Sequence, residues 1–101
     1  MLRTLPAGDL MLTLVVYDIA DNRRRNKLAK FLEGQGRRVQ ESVFECFGTL
    51  DEMQRLHRQV LHRTHPDEDN VRFYWIPAGA MAKALTIGSD PPTPPPQAYF
   101  L

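Results

Sequence analysis

The pattern of apolar and polar positions is most distinct near the start of the chain, where a run of apolar residues ends on a carboxylate. Residues 12–16 are apolar apart from Thr13, and Tyr17 and Asp18 follow them. An apolar run of this length predicts a strand that is buried in a sheet. We therefore expect a first strand over residues 11–18, with Asp18 held at its carboxyl end.

The sequence after this strand has the periodicity of a helix over residues 23–33. Asp21 or Asn22 precedes the helix and can cap its free N–H groups, and Gly34 and Gly36 end it. The apolar stripe of this helix consists of Leu28, Phe31 and Leu32. The basic stripe on another face, with the spacing i, i+4 and i+7, consists of Arg23, Lys27 and Lys30.

Two short strands, a second helix and a final strand complete the predicted pattern. The two strands cover residues 37–40 and 42–47, and a capping box at residues 49–52 opens the helix, which stops before Pro66. Alternating residues predict the final strand over residues 70–76. The order is β-α-β-β-α-β, which is that of the α+β ferredoxin-like fold, with both helices on one face of an antiparallel sheet. The other face of the sheet is then open to a partner.

The two ends of the chain differ in character from this domain, which we place at residues 11–88. Residues 1–10 are loosely patterned and predict a flexible extension, and Met11 is a second candidate for the translation start. Residues 84–87 predict a short edge strand, an extra C-terminal addition to the sheet. Residues 89–101 combine a proline-rich spacer with an apolar end, which we expect to dock on the partner subunit of a dimer.

Charge is concentrated in one part of the chain, although the formal net charge of all 101 residues is only +1. Residues 22–40 contain seven basic residues and one acid, Glu33. A basic region of this kind favours contact with the phosphate groups of nucleic acid, with little preference for base sequence. A solvated helix face is the alternative explanation of the same charges. The small size of the chain also makes a homodimer a reasonable expectation.

Asp18 and the three arginines at residues 23–25 form the candidate chemical site. An acid beside several guanidinium groups suits a divalent metal ion with phosphate around it. One carboxylate is a poor metal site, so two copies of Asp18 from a symmetric dimer would have to hold one Mg²⁺ or Mn²⁺ ion. On the residues alone, a turn or helix-capping role for Asp18 explains the same position.

Cysteine and histidine offer little chemistry in this sequence. Cys46 is the only cysteine, so it forms no disulfide within the chain, and we expect a packed thiol. His57, His62 and His65 lack the i, i+4 spacing of a helical metal site and are expected on the surface. No apolar run could cross a membrane and no signal-peptide pattern is evident, so a cytoplasmic location is the default expectation.

Three segments of the chain resemble the family of CRISPR-associated protein two, the small partner of the CRISPR integrase in spacer acquisition. They are Leu-Val-Val-Tyr-Asp at residues 14–18, residues 38–45 and residues 71–74. The likeness extends over residues 11–76 in one register, with the expected spacing of the helices.

The resemblance implies a ferredoxin-like homodimer in which the first-strand aspartates of the two copies face each other across the two-fold axis. Members are described as metal-dependent endonucleases that act on RNA or double-stranded DNA, and as the central bridge of the integrase complex. Asp18 matches the family's metal-binding aspartate and is the expected catalytic residue. The positions that match its active-site or nucleic-acid surface are Tyr17, Arg23, Arg24, Arg25, Arg38, Ser42 and Phe44. From the basic region we add Lys27 and Arg37 to the expected nucleic-acid contacts.

Other functions are compatible with the same strand order. A toxin-like messenger-RNA interferase is a small ferredoxin-like ribonuclease, and genomic neighbourhood would separate it from a CRISPR adaptation protein. An RNA-binding module of the RRM type needs a Gly-aromatic-Gly/Ala-aromatic pattern in its third strand, which residues 42–47 lack. A non-catalytic scaffold for nucleic acid stays an alternative, because no general base is evident in the sequence.

Overall fold

The predicted order of strands and helices is confirmed in the computed structural model, which describes residues 10–94. The four strands and the first helix begin and end within one residue of the predicted positions, whereas the second helix ends at Leu61, before its predicted limit at Pro66, and a short helix after the last strand was not predicted. In chain order they are β1 Met11–Asp18, α1 Asn22–Glu33, β2 Gly36–Gln40, β3 Val43–Gly48, α2 Leu50–Leu61, β4 Asn70–Pro77 and α3 Ala78–Met81.

The sheet has four strands in the order β2-β3-β1-β4, and all neighbouring pairs are antiparallel. Strand β1 lies in the centre, because its apolar residues can be buried on both faces. This order and the two intervening helices are those of the ferredoxin-like fold. The central position of β1 fixes Asp18 at the end of a strand that has a neighbour on each side.

Both long helices begin where local side chains satisfy their free N–H groups. In α1 the carboxylate of Asp21 accepts a hydrogen bond from the backbone N–H of Arg24 at 2.8 Å. In α2 the predicted capping box is present, since Thr49 and Glu52 each accept a hydrogen bond from the other's backbone N–H. These starts are decided locally, which explains why the sequence predicts them well.

The main core lies between the helices and one face of the sheet. Residues at alternate positions of β1, such as Val15 and Tyr17, point into it from the sheet. The residues that complete this cluster are Ile19, Leu28, Leu32, Phe44, Cys46, Met53, Leu56 and Val60. Because side chains alternate along a strand, Asp18 belongs to the other face of the sheet, which we call the open face.

One end of the open face is covered by the chain itself. Helix α3, which the sequence did not predict, places Met81 against Leu10 and Leu12 in a second, smaller apolar cluster. The predicted edge strand at residues 84–87 is wrong, because this segment has no strand pairing and follows α3 as an irregular chain. Leu85 and Ile87 are almost fully exposed there, at 96% and 102%.

Two predictions concern parts of the chain outside the described residues. The flexible extension at residues 1–10 falls there except for Leu10, and the docking tail falls there from residue 95 onwards. Both stay predictions. Within residues 10–94, no helix has both the length and the apolar character needed to span a membrane.

Candidate nucleic-acid interface

Asp18 is the exposed last residue of β1 and lies on the open face of the sheet. Strand β4 runs beside it, with Asn70 opposite Asp18 and Arg72 opposite Val16. These four residues and Tyr17 line a shallow cavity of ≈ 350 Å³. A rigid strand therefore presents a free carboxylate to a space large enough for a phosphate group.

One chain by itself does not build a metal site at this position. Within residues 10–94, no group of three or more His, Cys, Asp or Glu side chains is arranged to hold a metal ion. Among the residues that the structure describes, Asp18 is the one carboxylate that lines the cavity, and Asn70 adds an amide. A divalent ion prefers several oxygen ligands, so Asp18 fits such an ion only if a second chain supplies another carboxylate.

Tyr17 and Phe44 belong to the core, which corrects the expectation that they contact nucleic acid. Phe44 is 0% exposed and Tyr17 is 4% exposed, and their rings stack with centroids 6.3 Å apart. The Tyr17 hydroxyl donates a hydrogen bond to the backbone carbonyl of Glu41 at 3.2 Å. Burial raises the pKa of the Tyr17 phenol, and the nearby Arg38 guanidinium opposes that rise. Neither ring is available for stacking on a base.

Arg24 is held by acids on another part of the chain. Its Nε donates to Oδ2 of Asp69 at 2.6 Å, and its Nη2 donates to Oδ1 of Asp69 at 3.0 Å and to Glu68 at 3.2 Å. Asp69 also accepts from the backbone N–H groups of Ala20 at 3.2 Å and His65 at 2.8 Å. Arg24 therefore connects the start of α1 to the segment before β4 through hydrogen bonds. This placement does not support its expected role in nucleic-acid binding.

The buried Asp69 carboxylate connects several segments of the fold, a role that no sequence pattern indicated. Its side chain is only 1% exposed. The pKa of this carboxylate is lowered to about 2, chiefly by the hydrogen bond from Arg24; burial opposes the change, and the backbone N–H groups of His65 and Ala20 contribute to it. The run of acids at residues 67–69 is visible in the sequence, but its partner in α1 is not.

The other basic residues of α1 differ in whether their side chains form hydrogen bonds within the chain. Arg25 donates to the backbone carbonyl of Ile19 at 3.1 Å and to the side chain of Asn22. Arg23 and Lys27 are exposed on the first turns of the helix, and Lys30 is exposed further along. The predicted basic stripe is therefore present on the surface, and Arg23 and Lys27 remain candidates for phosphate contact.

Arg37 and Arg38 lie on opposite faces of the sheet, because they are consecutive residues of β2. Arg38 donates to the Glu41 carbonyl from Nε at 3.0 Å and from Nη2 at 2.6 Å, and it lies 5.6 Å from the Phe44 ring centroid. It therefore closes the β2–β3 turn. Arg37 is on the open face opposite Glu45, with Asp90 at 3.7 Å.

Ser42 lies in the same turn and contributes through its backbone. Its carbonyl accepts a hydrogen bond from the N–H of Tyr17 at 3.1 Å. The residue therefore helps to position the end of β1, directly before Asp18.

Cys46 and His57 both pack against other side chains of the domain. Burial raises the pKa of the Cys46 thiol to about 12, so the thiolate needed for a nucleophile does not form near neutral pH. The ring of His57 packs edge-on against Phe73 with centroids 5.1 Å apart. Cys46 is a packed thiol, as predicted.

The chain has relatives of known family. A family model described as CRISPR associated protein Cas2 matches residues 11–84. The chain is similar to a protein of Synechocystis sp. named CRISPR-associated endoribonuclease Cas2 3. The two are 38% identical over 87 residues, which cover 86% of this chain and 95% of the relative.

Solved structures agree with this match. The crystal structure of Streptococcus pyogenes Cas2 has a TM-score of 0.65 at 29% identity, and the match covers 76% of this chain and 99% of that one. A chain of a partial Cas6-RT-Cas1–Cas2 complex has a TM-score of 0.65 at 30% identity, with 85% and 94% covered. The order of elements agrees with these matches, which show that the chain belongs to the CRISPR-associated protein Cas2 family.

Proposed function

We propose that this chain is a CRISPR adaptation protein whose homodimer binds nucleic acid and cleaves phosphodiester bonds at Asp18. The observation that carries the proposal is the placement of Asp18. It is an exposed carboxylate on the end of a central strand, and within residues 10–94 it forms no ion pair with the basic residues around it. The name of the Synechocystis relative, an endoribonuclease, supports this class of reaction.

The open face supports self-association. A groove of ≈ 560 Å³ runs over its covered end and is lined by apolar residues of β1 and β4, by the segment after α3, including Leu85, and by polar residues of β2 and β3, including Arg37 and Glu45. The Oε1 atom of Glu45 is buried in this groove without a hydrogen-bond partner in the described chain. An apolar groove with an unsatisfied acceptor favours a second copy of the chain, which would cover the apolar surface and donate to Glu45.

A second copy would also complete the acidic site. The Asp18 carboxylates of the two copies would together hold Mg²⁺ or Mn²⁺, the oxygen-binding ions that suit such ligands. When bound, the ion would stabilise negative charge that develops on the scissile phosphate. In the hydrolysis, a water oxygen bonds to phosphorus and gives up a proton to the solvent, the bond from phosphorus to the leaving oxygen breaks, and the leaving oxygen takes up a proton. Strand β1 has a neighbouring strand on each side, and this would fix the orientation of the Asp18 carboxylate in the site.

Exposed basic residues provide the proposed surface for nucleic acid. Arg23 and Lys27 on α1 are exposed and are held by no acid among the described residues. Arg37 on β2 is also exposed, but it lies 3.7 Å from Asp90 and lines the groove proposed for the second copy, so it is not part of this surface. Contacts of this kind bind phosphates without reading bases. RNA and double-stranded DNA are both candidate substrates.

The solved complex with a related chain supports a partner for this protein. That chain was found in an assembly named for Cas1 and Cas2. We therefore propose that this chain binds the CRISPR integrase Cas1 as a bridging dimer.

Replacement of Asp18 tests the catalytic part of the proposal. Asp18→Asn keeps the shape of the side chain and removes its charge, so cleavage of RNA or duplex DNA should be lost while folding and dimerisation are retained. A chelator should have the same effect on the wild type. The matched control is Asp67→Asn, because Asp67 is an exposed acid in the segment before β4. Cleavage by Asp18→Asn at the wild-type rate would place the active site elsewhere.

A non-catalytic scaffold is the second candidate, and the single carboxylate of the site favours it. The same variant separates the two functions when spacer acquisition is measured in cells. Acquisition that continues with Asp18→Asn, while cleavage in vitro is lost, would show that the bridging role does not need the carboxylate.

A further inference from the structure

We propose that Arg72 binds the substrate phosphate beside Asp18. This inference rests on the proposed function and adds a residue to its site. In the sequence, Arg72 is recognisable only as a polar residue of the alternating strand that is predicted over residues 70–76. Its place next to Asp18 follows from the register of β4 on β1.

The register puts the two side chains on one face of the sheet. Asn70 is opposite Asp18 and Arg72 is opposite Val16, so Arg72 and Asp18 are diagonal neighbours. Such neighbours lie roughly 7–8 Å apart on a sheet. A phosphate group at this position would accept hydrogen bonds from Arg72, and a divalent ion held by Asp18 would offset the repulsion between the carboxylate and the phosphate. Both side chains line the same cavity of ≈ 350 Å³.

Arg72 differs from Arg24 and Arg38, because no acid among the described residues holds it. It is exposed, and within residues 10–94 it forms no ion pair with an acid. Its polar contact in that range is to the Tyr74 hydroxyl, to which Nη1 donates at 3.2 Å. Arg24 and Arg38, by contrast, already donate to acids or to a backbone carbonyl.

The chemistry of the guanidinium group suits this position. Its planar set of N–H donors matches two oxygens of one phosphate. The Tyr74 hydroxyl occupies one nitrogen of Arg72 and restrains the side chain, while the remaining N–H groups are free to donate.

Substitution of Arg72 in the full chain tests the inference. Arg72→Gln should lower kcat/KM for cleavage by about 10- to 100-fold, which corresponds to the loss of one charge-assisted contact. Arg72→Lys should recover only part of this loss, because an ammonium group does not contact two oxygens in one plane. The matched control is Arg55→Gln, which removes the same charge from the exposed surface of α2, on the other face of the sheet.

A binding measurement gives a second result that does not depend on cleavage. In the Asp18→Asn background, the affinity for a duplex is measured as a function of salt concentration. Arg72→Gln should reduce the slope of log Kd against log salt by about 1, the value for one phosphate contact. Arg72→Lys should keep the slope, because it keeps the charge. Arg55→Gln should leave both measurements unchanged.

The outcomes distinguish the inference from the proposed function. If the wild type shows neither Asp18-dependent cleavage nor salt-dependent binding, the proposed function is wrong and the inference is overturned with it. The alternative case is a wild type that shows Asp18-dependent cleavage, salt-dependent binding or both. If Arg72→Gln then has the same kcat/KM and the same salt slope as Arg55→Gln, wherever these can be measured, only the role of Arg72 is overturned. A reduced slope in a chain that binds without cleaving supports phosphate contact by Arg72.

Discussion

Asp69 shows how a single buried carboxylate connects distant parts of the chain. It accepts hydrogen bonds from the side chain of Arg24 and from the backbone N–H groups of Ala20 and His65. The loop that follows Asp18 is thereby joined to the segment before β4. The geometry around the proposed site depends on this carboxylate, although Asp69 does not line the cavity.

The stability of the fold should depend on the ionisation of Asp69. Its pKa in the folded chain is lowered to about 2, below the usual value of about 4. The ionised carboxylate therefore stabilises the fold above pH 4, and this contribution is lost as the pH falls from about 4 to about 2. Asp69→Asn should lower the free energy of unfolding at neutral pH and flatten its dependence on pH in that window.

Urea unfolding at several pH values measures this effect. The control is Asp67→Asn, an exposed acid two positions away. If Asp69→Asn and the wild type lost stability equally between pH 4 and pH 2, the hydrogen bonds of Asp69 would not be the source of the acid sensitivity.

Charge reversal of the basic residues of α1 and β2 should have two different effects, one on the affinity for nucleic acid and one on the free energy of unfolding. Arg23→Glu and Lys27→Glu should weaken binding to all nucleic-acid sequences about equally and leave the free energy of unfolding unchanged, because both side chains are exposed. Arg24→Glu and Arg38→Glu should instead lower the free energy of unfolding, since these side chains make internal hydrogen bonds.

Filter binding at several salt concentrations, together with urea unfolding, checks both classes. Unchanged affinity in Arg23→Glu and Lys27→Glu would move the nucleic-acid surface away from α1. Full stability in Arg24→Glu would show that its contacts to Asp69 do not hold the fold.

At the scale of elements, the start of α2 is the clearest case in which a local motif fixes a boundary. Thr49 and Glu52 satisfy each other's backbone N–H groups at 3.3 and 2.8 Å. Thr49→Ala should therefore lower the free energy of unfolding by about 1 kcal/mol, the usual value for loss of an N-cap side chain.

Denaturant unfolding is sufficient to test this prediction. Gln54→Ala on the exposed surface of the same helix is the control and should have little effect. Equal stability of Thr49→Ala and Gln54→Ala would mean that packing of Met53 and Leu56 alone determines the start of the helix.

At the scale of the whole molecule, the open face is the surface on which we expect a second copy of the chain to bind. Leu85 is 96% exposed and lines the apolar groove. If the groove binds a second copy, Leu85→Asp should weaken self-association by about 10-fold or more, because a charge would be placed against apolar surface. Sedimentation equilibrium measures the dimer constant.

The control for this prediction is Leu61→Asp, since Leu61 is an exposed leucine of α2 at 49% on the other face of the sheet. A dimer constant that is the same in both variants would exclude the groove as the interface.

The same measurement tests the predicted docking of the tail: deletion of residues 97–101 should also weaken the dimer.

The arrangement of elements was predictable because its determinants are local. The apolar run of β1, the cap at Asp21 and the capping box at Thr49 each depend on residues within a few positions. Helix α3 was missed, because Ala-Gly-Ala-Met carries no N-cap or periodic signal. The predicted strand at residues 84–87 was wrong because apolar composition alone does not supply a strand to pair with.

The sequence by itself determined the fold class and the position of Asp18, because strand and helix periodicity and the end of an apolar run are properties of short segments. Only the tertiary structure decided which arginines are free. Arg24 is bound by Asp69, which is 45 positions away, while register on β1 brings Arg72 beside Asp18. Both results depend on contacts between residues that are far apart in the chain, and neither partner carries a local signal of the other.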